Sequence, residues 1–271
     1  MSGQPLRIVV ALDSSAHARA AMEAAADLAE RLRAEILALF VEDAELARLA
    51  ALPFATEIGT DATARPFDLP RVERHFRSHV REARATCERT AERRRVVARF
   101  EVVRGSVSGE ILAAAEGAEM VILGRASARG IRLGRTTQAV LARSTRPVAV
   151  VTAERAFGRP VAVVFDGSAE SRRALDLAIR LAGEDHRNLA VLIPFDGPRR
   201  DEVAAEARAI AAPAGITPRC IGVAATARAI RRSVEERGCR VLVLDRASAL
   251  LEDGGIVAMV EQLDCPVFVT G

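Results

Sequence analysis

The feature that most constrains this chain is that it carries one pattern twice. Residues 7–13 read RIVVALD and residues 160–166 read PVAVVFD. Each is a short apolar run that ends in Asp and leads through small residues into a helical pattern. The copies align without a gap through the helix that follows: Asp13 matches Asp166, Arg19 matches Arg172, Met22 matches Leu175 and Leu28 matches Leu181. Their ends match as well. Residues 146–152 read RPVAVVT and 265–271 read CPVFVTG, each a β-rich run behind a proline, which loses no ladder bond at the first position of a strand. Self-similarity on this scale means one supersecondary assembly made twice.

Between these landmarks strands alternate with helices. In the first copy the apolar runs place strands near 7–13, 35–42, 97–104, 119–124 and 147–152. In the second they fall near 160–166, 188–194, 218–223, 240–245 and 266–270. Alternation of this kind gives parallel strands with right-handed crossovers. The expected fold is therefore α/β: two tandem doubly wound domains, 1–153 and 159–271, each a five-stranded parallel sheet flanked by helices. The last strand of each copy, around Val148–Val151 and Val267–Val269, is apolar and lies at a sheet edge in this topology. Apolar edges are normally covered, so the two are expected to meet and form an internal pseudo-dimer. Helical spacing of Ala18, Ala21, Met22, Ala25, Leu28, Ala29 and Leu32 makes a stripe for the first sheet, with Ser14 or Ser15 as its N-cap and Ser168 as the N-cap in the second copy. The copies differ in one region. Copy one spends residues 46–66 on a loop with a weak helix and 68–95 on a long helix, where copy two needs one short helix near 199–212.

Composition narrows the chemistry. Half of the 271 residues are apolar and only 3% are aromatic, with no Trp or Tyr. Such a core is built from Ala, Val, Leu and Ile, as in parallel sheets covered on both faces. Proteins that stack nucleic-acid bases need aromatic platforms, and none of the nine Phe sits in a basic-aromatic motif. All 39 basic residues are Arg. The chain therefore has no lysine for a Schiff base, a general base or a P-loop. Arg93, Arg94 and Arg95 form the one dense cluster, read as a solvated helix end where cations suit the dipole; a nucleic-acid or membrane patch is the competing reading. The four cysteines show no CxxC spacing. With no basic-then-apolar leader before Arg7 and no apolar run long enough to cross a bilayer, the expected location is the cytoplasm.

The ordered set of pieces resembles the universal stress protein family. VVALDSS (9–15) matches its strand ending in Asp-Ser, and LALFVED (37–43) its second strand with Val41 near the base. FEVVRGSVSGEILAAA (100–115) matches its third strand and helix, and the stretch from EMVILG (119–124) to RPVAVV (146–151) its fourth strand, glycine loop and fifth strand. The match covers nearly all of 6–152 and, more loosely, 159–271. The resemblance implies an adenine-nucleotide hydrolase-like fold, pairing through the last strands, and a regulatory module that is not an enzyme. It also implies ATP or a related adenine nucleotide, with magnesium, in copy one. The base is expected near Asp13 and Val41, and the phosphates over Gly124, Ser127, Gly134, Arg135 and Thr136. The family's loop resembles G-x2-G-x9-G-S/T, in which glycines let backbone amides reach phosphate oxygens and a helix start adds positive potential. Here Gly124 and Gly134 match glycines, Ser127 stands at the middle one, Arg135 replaces the small hydroxyl residue, and the loop is about three residues short. In copy two, RVLVLD ends in Asp245 where the glycine belongs, and a carboxylate there repels phosphate. That copy is expected to be structural, with Asp166 forming a turn. The alternative is a ligand-free adaptor that acts through protein partners, and a further homodimer is compatible with either.

Other constellations carry less. His75 and His79 share a helix face, but the zinc-protease spacing is absent because Phe76 follows the first His, and they are read as surface histidines. No G-x-S-x-G elbow surrounds Asp13-Ser14-Ser15. Arg104 to Gly109 is read as the cap of the helix that starts near Glu110, with an anion site there as the lesser alternative. His17 and His186 carry no signal.

Overall fold

The computed structural model describes residues 6–58, 64–125, 133–152, 157–183, 188–248 and 255–271. The first half runs β1 (Arg7–Ala11), α1 (Ala16–Leu32), β2 (Glu35–Asp43), α2 (Ala44–Ala50), β3 (Thr56–Ile58), β4 (Ala64–Pro66), α3 (Leu69–Arg94), β5 (Ala98–Gly105), α4 (Val107–Glu116), β6 (Met120–Gly124), α5 (Arg135–Arg143) and β7 (Val148–Val151). The second runs β8 (Val161–Val164), α6 (Ala169–Ala182), β9 (Leu189–Ile193), α7 (Gly197–Ala211), β10 (Arg219–Gly222), α8 (Ala227–Glu236), β11 (Val241–Asp245), α9 (Gly255–Gln262) and β12 (Val267–Thr270).

The strands join into one sheet of ten, in the order β10-β9-β8-β11-β12-β7-β6-β1-β2-β5. Within each half all neighbours are parallel; β7 and β12 meet antiparallel. The two copies thus fuse through their last strands, as the apolar edges demanded. At the seam Phe268 faces Ala149, flanked by Val267 opposite Val150 and Val269 opposite Val148. A large residue opposite a small one fills the seam at interior density, which two Phe or two Ala could not do equally well. The edges that would serve a dimer of separate copies are satisfied inside the chain.

Alternate residues of each strand feed opposite faces of the sheet. Ile8, Val10, Val163 and Phe268 pack with Met22, Leu28 and Leu175 on one face, and Val9, Val148, Leu242 and Val267 pack with Ile111, Leu141 and Met259 on the other. Each core crosses the seam, so neither face of one half is independent of the other half. Of the side chains of α1 expected at helical spacing, Ala18 to Ala29 are buried and Leu32 is partly buried, and Ser15 is the N-cap, its Oγ accepting the Ala18 N–H at 3.1 Å.

The region unique to the first half is more ordered than a loop. The expected long helix is present as α3, opened by Asp68, whose carboxylate accepts the Arg71 N–H at 2.8 Å, and closed by Arg95 in the left-handed conformation. The stretch 46–66 departs from expectation. It begins inside α2 and continues as an antiparallel pair of short strands, β3 with β4. Its anchor is a small core in which Ala50, Val72 and Phe76 are packed by Leu46, Phe67 and Leu69. The apolar residues that make this core are split between a short helix and a long one, so no single window shows a period. At the far end of α3 the arginine cluster is not merely solvated: Arg93 and Arg94 pair with Glu23, and Arg94 approaches Asp27 at 3.9 Å, tying α3 to α1.

Candidate functional site

In the first half β2 and β5 lie on one side of β1 and β6 on the other. The chain reverses its winding between β1 and β6, and doubly wound sheets open a crevice at the carboxyl ends of the strands at such a point. A half-open cavity of about 200 Å³ lies there. Its walls are the end of β1 and the turn after it (Leu12, Asp13), the end of β6 (Gly124), and the starts of three helices: α1 at His17, α4 at Val107 and α5 at Gly134 and Thr136.

Those helix starts differ. The N-cap of α1 is occupied, because Ser15 caps it and Asp13 Oδ1 accepts the Ser15 N–H at 2.8 Å. Ser106, at the N-cap of α4, makes no side-chain capping bond, and Gly134, at the N-cap of α5, has no side chain to offer. Two helix starts therefore bring unsatisfied amide donors and partial positive charge to one crevice, an arrangement suited to an anion.

Gly124 has a reason of its own to be glycine. A Cβ there would lie 2.6 Å from the carbonyl oxygen of His17, backbone against strand end. The absence of a side chain lets α1 start directly over β6, and this packing holds with or without a ligand. Asp13, Gly124, Gly134 and Thr136 thus converge on one cavity. Val41 and Arg135 do not line it. Val41 is half-buried on β2 beside Val103 of β5, and Arg135 is exposed at the first position of α5. Ser127 lies outside the described residues. His17 lines the cavity, and its Nδ1 is buried without a hydrogen-bond partner. Its signal was available in the repeat, since the matching position of copy two holds Glu170, but a lone His near a helix start does not announce a cavity.

At the matching place in the second half two helix starts, α6 and α8, carry side-chain caps. Asp166 Oδ1 accepts the Ser168 N–H at 2.9 Å, and Ser168 caps α6 by accepting the Ser171 N–H at 3.1 Å. Burial would raise the Asp166 carboxyl, but hydrogen bonds from Ser168 and Ser171 outweigh it and hold the group below its ordinary value. Asp166 is the turn former expected of it. Thr226 caps α8, accepting the Ala229 N–H at 3.2 Å. At the end of β11, Asp245 is 4% exposed, and its Oδ1 has no partner. Burial pushes its carboxyl up, against the opposing pull of the Ala247 N–H and of Arg173.

The model of the universal stress protein family matches residues 6–152. This chain belongs to the universal stress protein family. A universal stress protein from Archaeoglobus fulgidus has the same fold over 99% of each chain, at 17% identity and a TM-score of 0.76. A functionally unknown protein from Pseudomonas aeruginosa is similar over 98% of this chain and 92% of its own, at 14% identity and a TM-score of 0.57. No curated protein matches the sequence. The family match ends at Thr152, and the second half is related to the first through its strand order, helix placement and the shared Asp-turn. No described helix is long and apolar enough to cross a membrane.

The paired histidines of α3 have ring centroids 3.8 Å apart, with their planes tilted by 52°. Burial, then the neighbouring His79, lowers the His75 pKa, with Glu57 opposing. Among the described residues no group of three or more His, Cys, Asp or Glu is placed to hold a metal.

Proposed function

We propose that the first half of this universal stress protein binds an adenine nucleotide in the crevice between β1 and β6, and that the chain acts as a regulatory module without chemistry of its own. The observation that carries the reading is the meeting of two helix starts without side-chain caps, α4 and α5, over one cavity floored by Gly124. Helix starts favour phosphate oxygens, and the adenine is the contribution of the family resemblance. The cavity is smaller than the ~300–1,000 Å³ of pockets that enclose a whole ligand. It suits one end of an extended molecule, with the phosphates at Gly134 and Thr136 and the remainder running out past Asp13. Asp13 is the one carboxylate of the described lining. Magnesium would therefore arrive on the phosphates, as it commonly does, and not in a protein cage.

Nucleotide retained by the purified protein, released by denaturation and identified by mass spectrometry, tests this directly. Adenine nucleotide is expected from the wild type and not from Thr136→Asp. A carboxylate in the first turn of α5 suits the helix dipole, so the fold should stand, while its charge opposes phosphate.

A second reading, the ligand-free adaptor, is favoured by a separate observation. In and around α2 and β3, Leu49, Phe54 and Ile58 are 53%, 83% and 76% exposed, an apolar surface that, among the described residues, belongs to the first half. Isolated exposed apolar residues are ordinary, whereas a contiguous group suits protein contact. A wild type that carries no nucleotide and takes up none at millimolar ATP leaves the adaptor reading in place.

A further inference from the structure

We infer that α9, the last helix of the second half, is a positioning element of the first half's crevice, with Glu261 as its working residue. Arg125 directly follows Gly124. Its Nη1 donates to the carbonyl oxygens of Val260, Glu261 and Leu263 at 3.2, 3.3 and 2.7 Å, which lie at the end of α9. Those final carbonyls have no partners within their own helix, and a guanidinium is well suited to them. On the other side of the crevice, the N–H of Leu133 donates to Glu261 Oε1 at 2.7 Å. Leu133 is 4% exposed and directly precedes Gly134, and its carbonyl accepts from Gln138 Nε2 at 2.9 Å.

Glu261 therefore takes one bond from each side of the cavity. Its main-chain oxygen receives Arg125, at the end of β6, and its carboxylate receives Leu133, at the start of α5. The separation of Gly124 from Gly134 is thereby referred to the end of α9, where Glu261 is the residue bonded from both sides. The mirror residue in the second half is differently placed. Arg246 bonds through its N–H to Thr270, as Arg125 does to Val151, yet its Nε and Nη2 have no partners. The bracing thus stands on the side that holds the cavity. This gives the second half a part in the first half's crevice, while its own strand end carries Asp245 in place of Gly124. It follows that a ligand in the first half and the order of α9 are coupled, and such coupling is reciprocal.

The binding readout rests on the nucleotide reading, and the exchange readout does not. Three variants separate the outcomes. Glu261→Ala removes the carboxylate, whereas Glu261→Gln keeps an oxygen able to accept from Leu133. Thr152→Val removes a different bond between the same halves, from Thr152 Oγ1 to the Asp264 carbonyl at 3.1 Å. In Glu261→Ala, amide exchange at Leu133 to Thr137 is expected to rise at least tenfold and ATP affinity to fall at least threefold. Glu261→Gln should restore most of both, and Thr152→Val should move neither, although it removes an inter-half bond. The inference is overturned by unchanged exchange in Glu261→Ala. An equal rise in Thr152→Val, or a rise in exchange without any loss of affinity in a protein that binds ATP, would overturn it as well. If the wild type binds no ATP, the nucleotide reading fails alone and the exchange comparison still decides the inference.

Discussion

At the carboxyl end of β6 stands Gly124, and at the carboxyl end of β11 stands Asp245. The strands around them pair in the same order, yet the polar groups gathered at the two places differ. In the first half α4 begins at Ser106 without a side-chain cap, whereas in the second α8 begins at Thr226 with one. In the first half a glycine lets α1 close over the strand, whereas in the second a buried carboxylate stands at the strand's end. The comparison teaches that a repeated fold preserves its apolar pattern and varies its polar one. The apolar pattern builds the shared sheet, and burial on both faces leaves it little freedom. The polar groups at the strand ends are free to serve a ligand or to satisfy each other.

Exchanging the two strand-end residues should break the symmetry most visibly. Gly124→Asp sets a Cβ against the His17 carbonyl and is expected to cost about 3 kcal/mol. Asp245→Gly removes a poorly partnered buried carboxylate and should stay within about 1 kcal/mol of wild type, since the lost charge offsets the flexibility of glycine. Urea denaturation of both variants reads the difference, and equal costs would show that the strand ends are equivalent. The same result explains why Gly124→Asp cannot serve as a clean test of phosphate binding.

The caps give a smaller and sharper contrast. Thr226→Ala is expected to cost about 1 kcal/mol, the ordinary value of a lost N-cap. Ser106→Ala, which removes no capping bond, should change stability by less than about 0.5 kcal/mol. Thermal melts under one buffer condition suffice. A full cap's cost at Ser106 would mean that α4 is closed by its own residue and offers nothing to an anion.

The smallest effects are those of acid. Asp245 titrates in the fold above its ordinary value of 3.8 and Asp166 below it, so their contributions to stability have opposite signs. As pH rises from the ordinary value to the raised folded value, unfolded chains lose the Asp245 proton first, and stability falls. The Asp166 contribution is present above the ordinary value and disappears as pH falls through the lowered folded value. Asp245→Asn should therefore raise the melting temperature at pH 7 and Asp166→Asn should lower it, with both differences shrinking in acid. Shifts of the same sign would show that the two carboxylates occupy similar surroundings.

Much of this was legible in the residues. Every strand of the ten-stranded sheet fell near an expected run; the inner strands announce themselves by continuous hydrophobicity, as buried parallel strands do, whereas the edge strands β5 and β10 are partly exposed. The seam followed from the apolar runs Val148–Val151 and Val267–Val269, which could not be left as open edges. The β3–β4 pair was not legible, because three-residue strands carry no period. Val41 and Arg135 were placed at the site through resemblance, and neither lines the cavity. His17 and Arg125 were missed for one reason. What they do depends on which backbone lies across from them, His17 under the end of β6 and Arg125 against a helix more than a hundred residues away, and local pattern holds no trace of such partners. Asp166 was read correctly because its partners, Ser168 and Ser171, are its near neighbours in sequence.

The central claim is that one crevice binds and the other does not. Calorimetric titration of ATP with magnesium into the whole chain tests it through stoichiometry. One site per chain is expected, abolished or weakened at least tenfold by Thr136→Asp and retained in Ser168→Ala. Two sites per chain, no heat at millimolar ATP, or a single site lost in Ser168→Ala and kept in Thr136→Asp would contradict it.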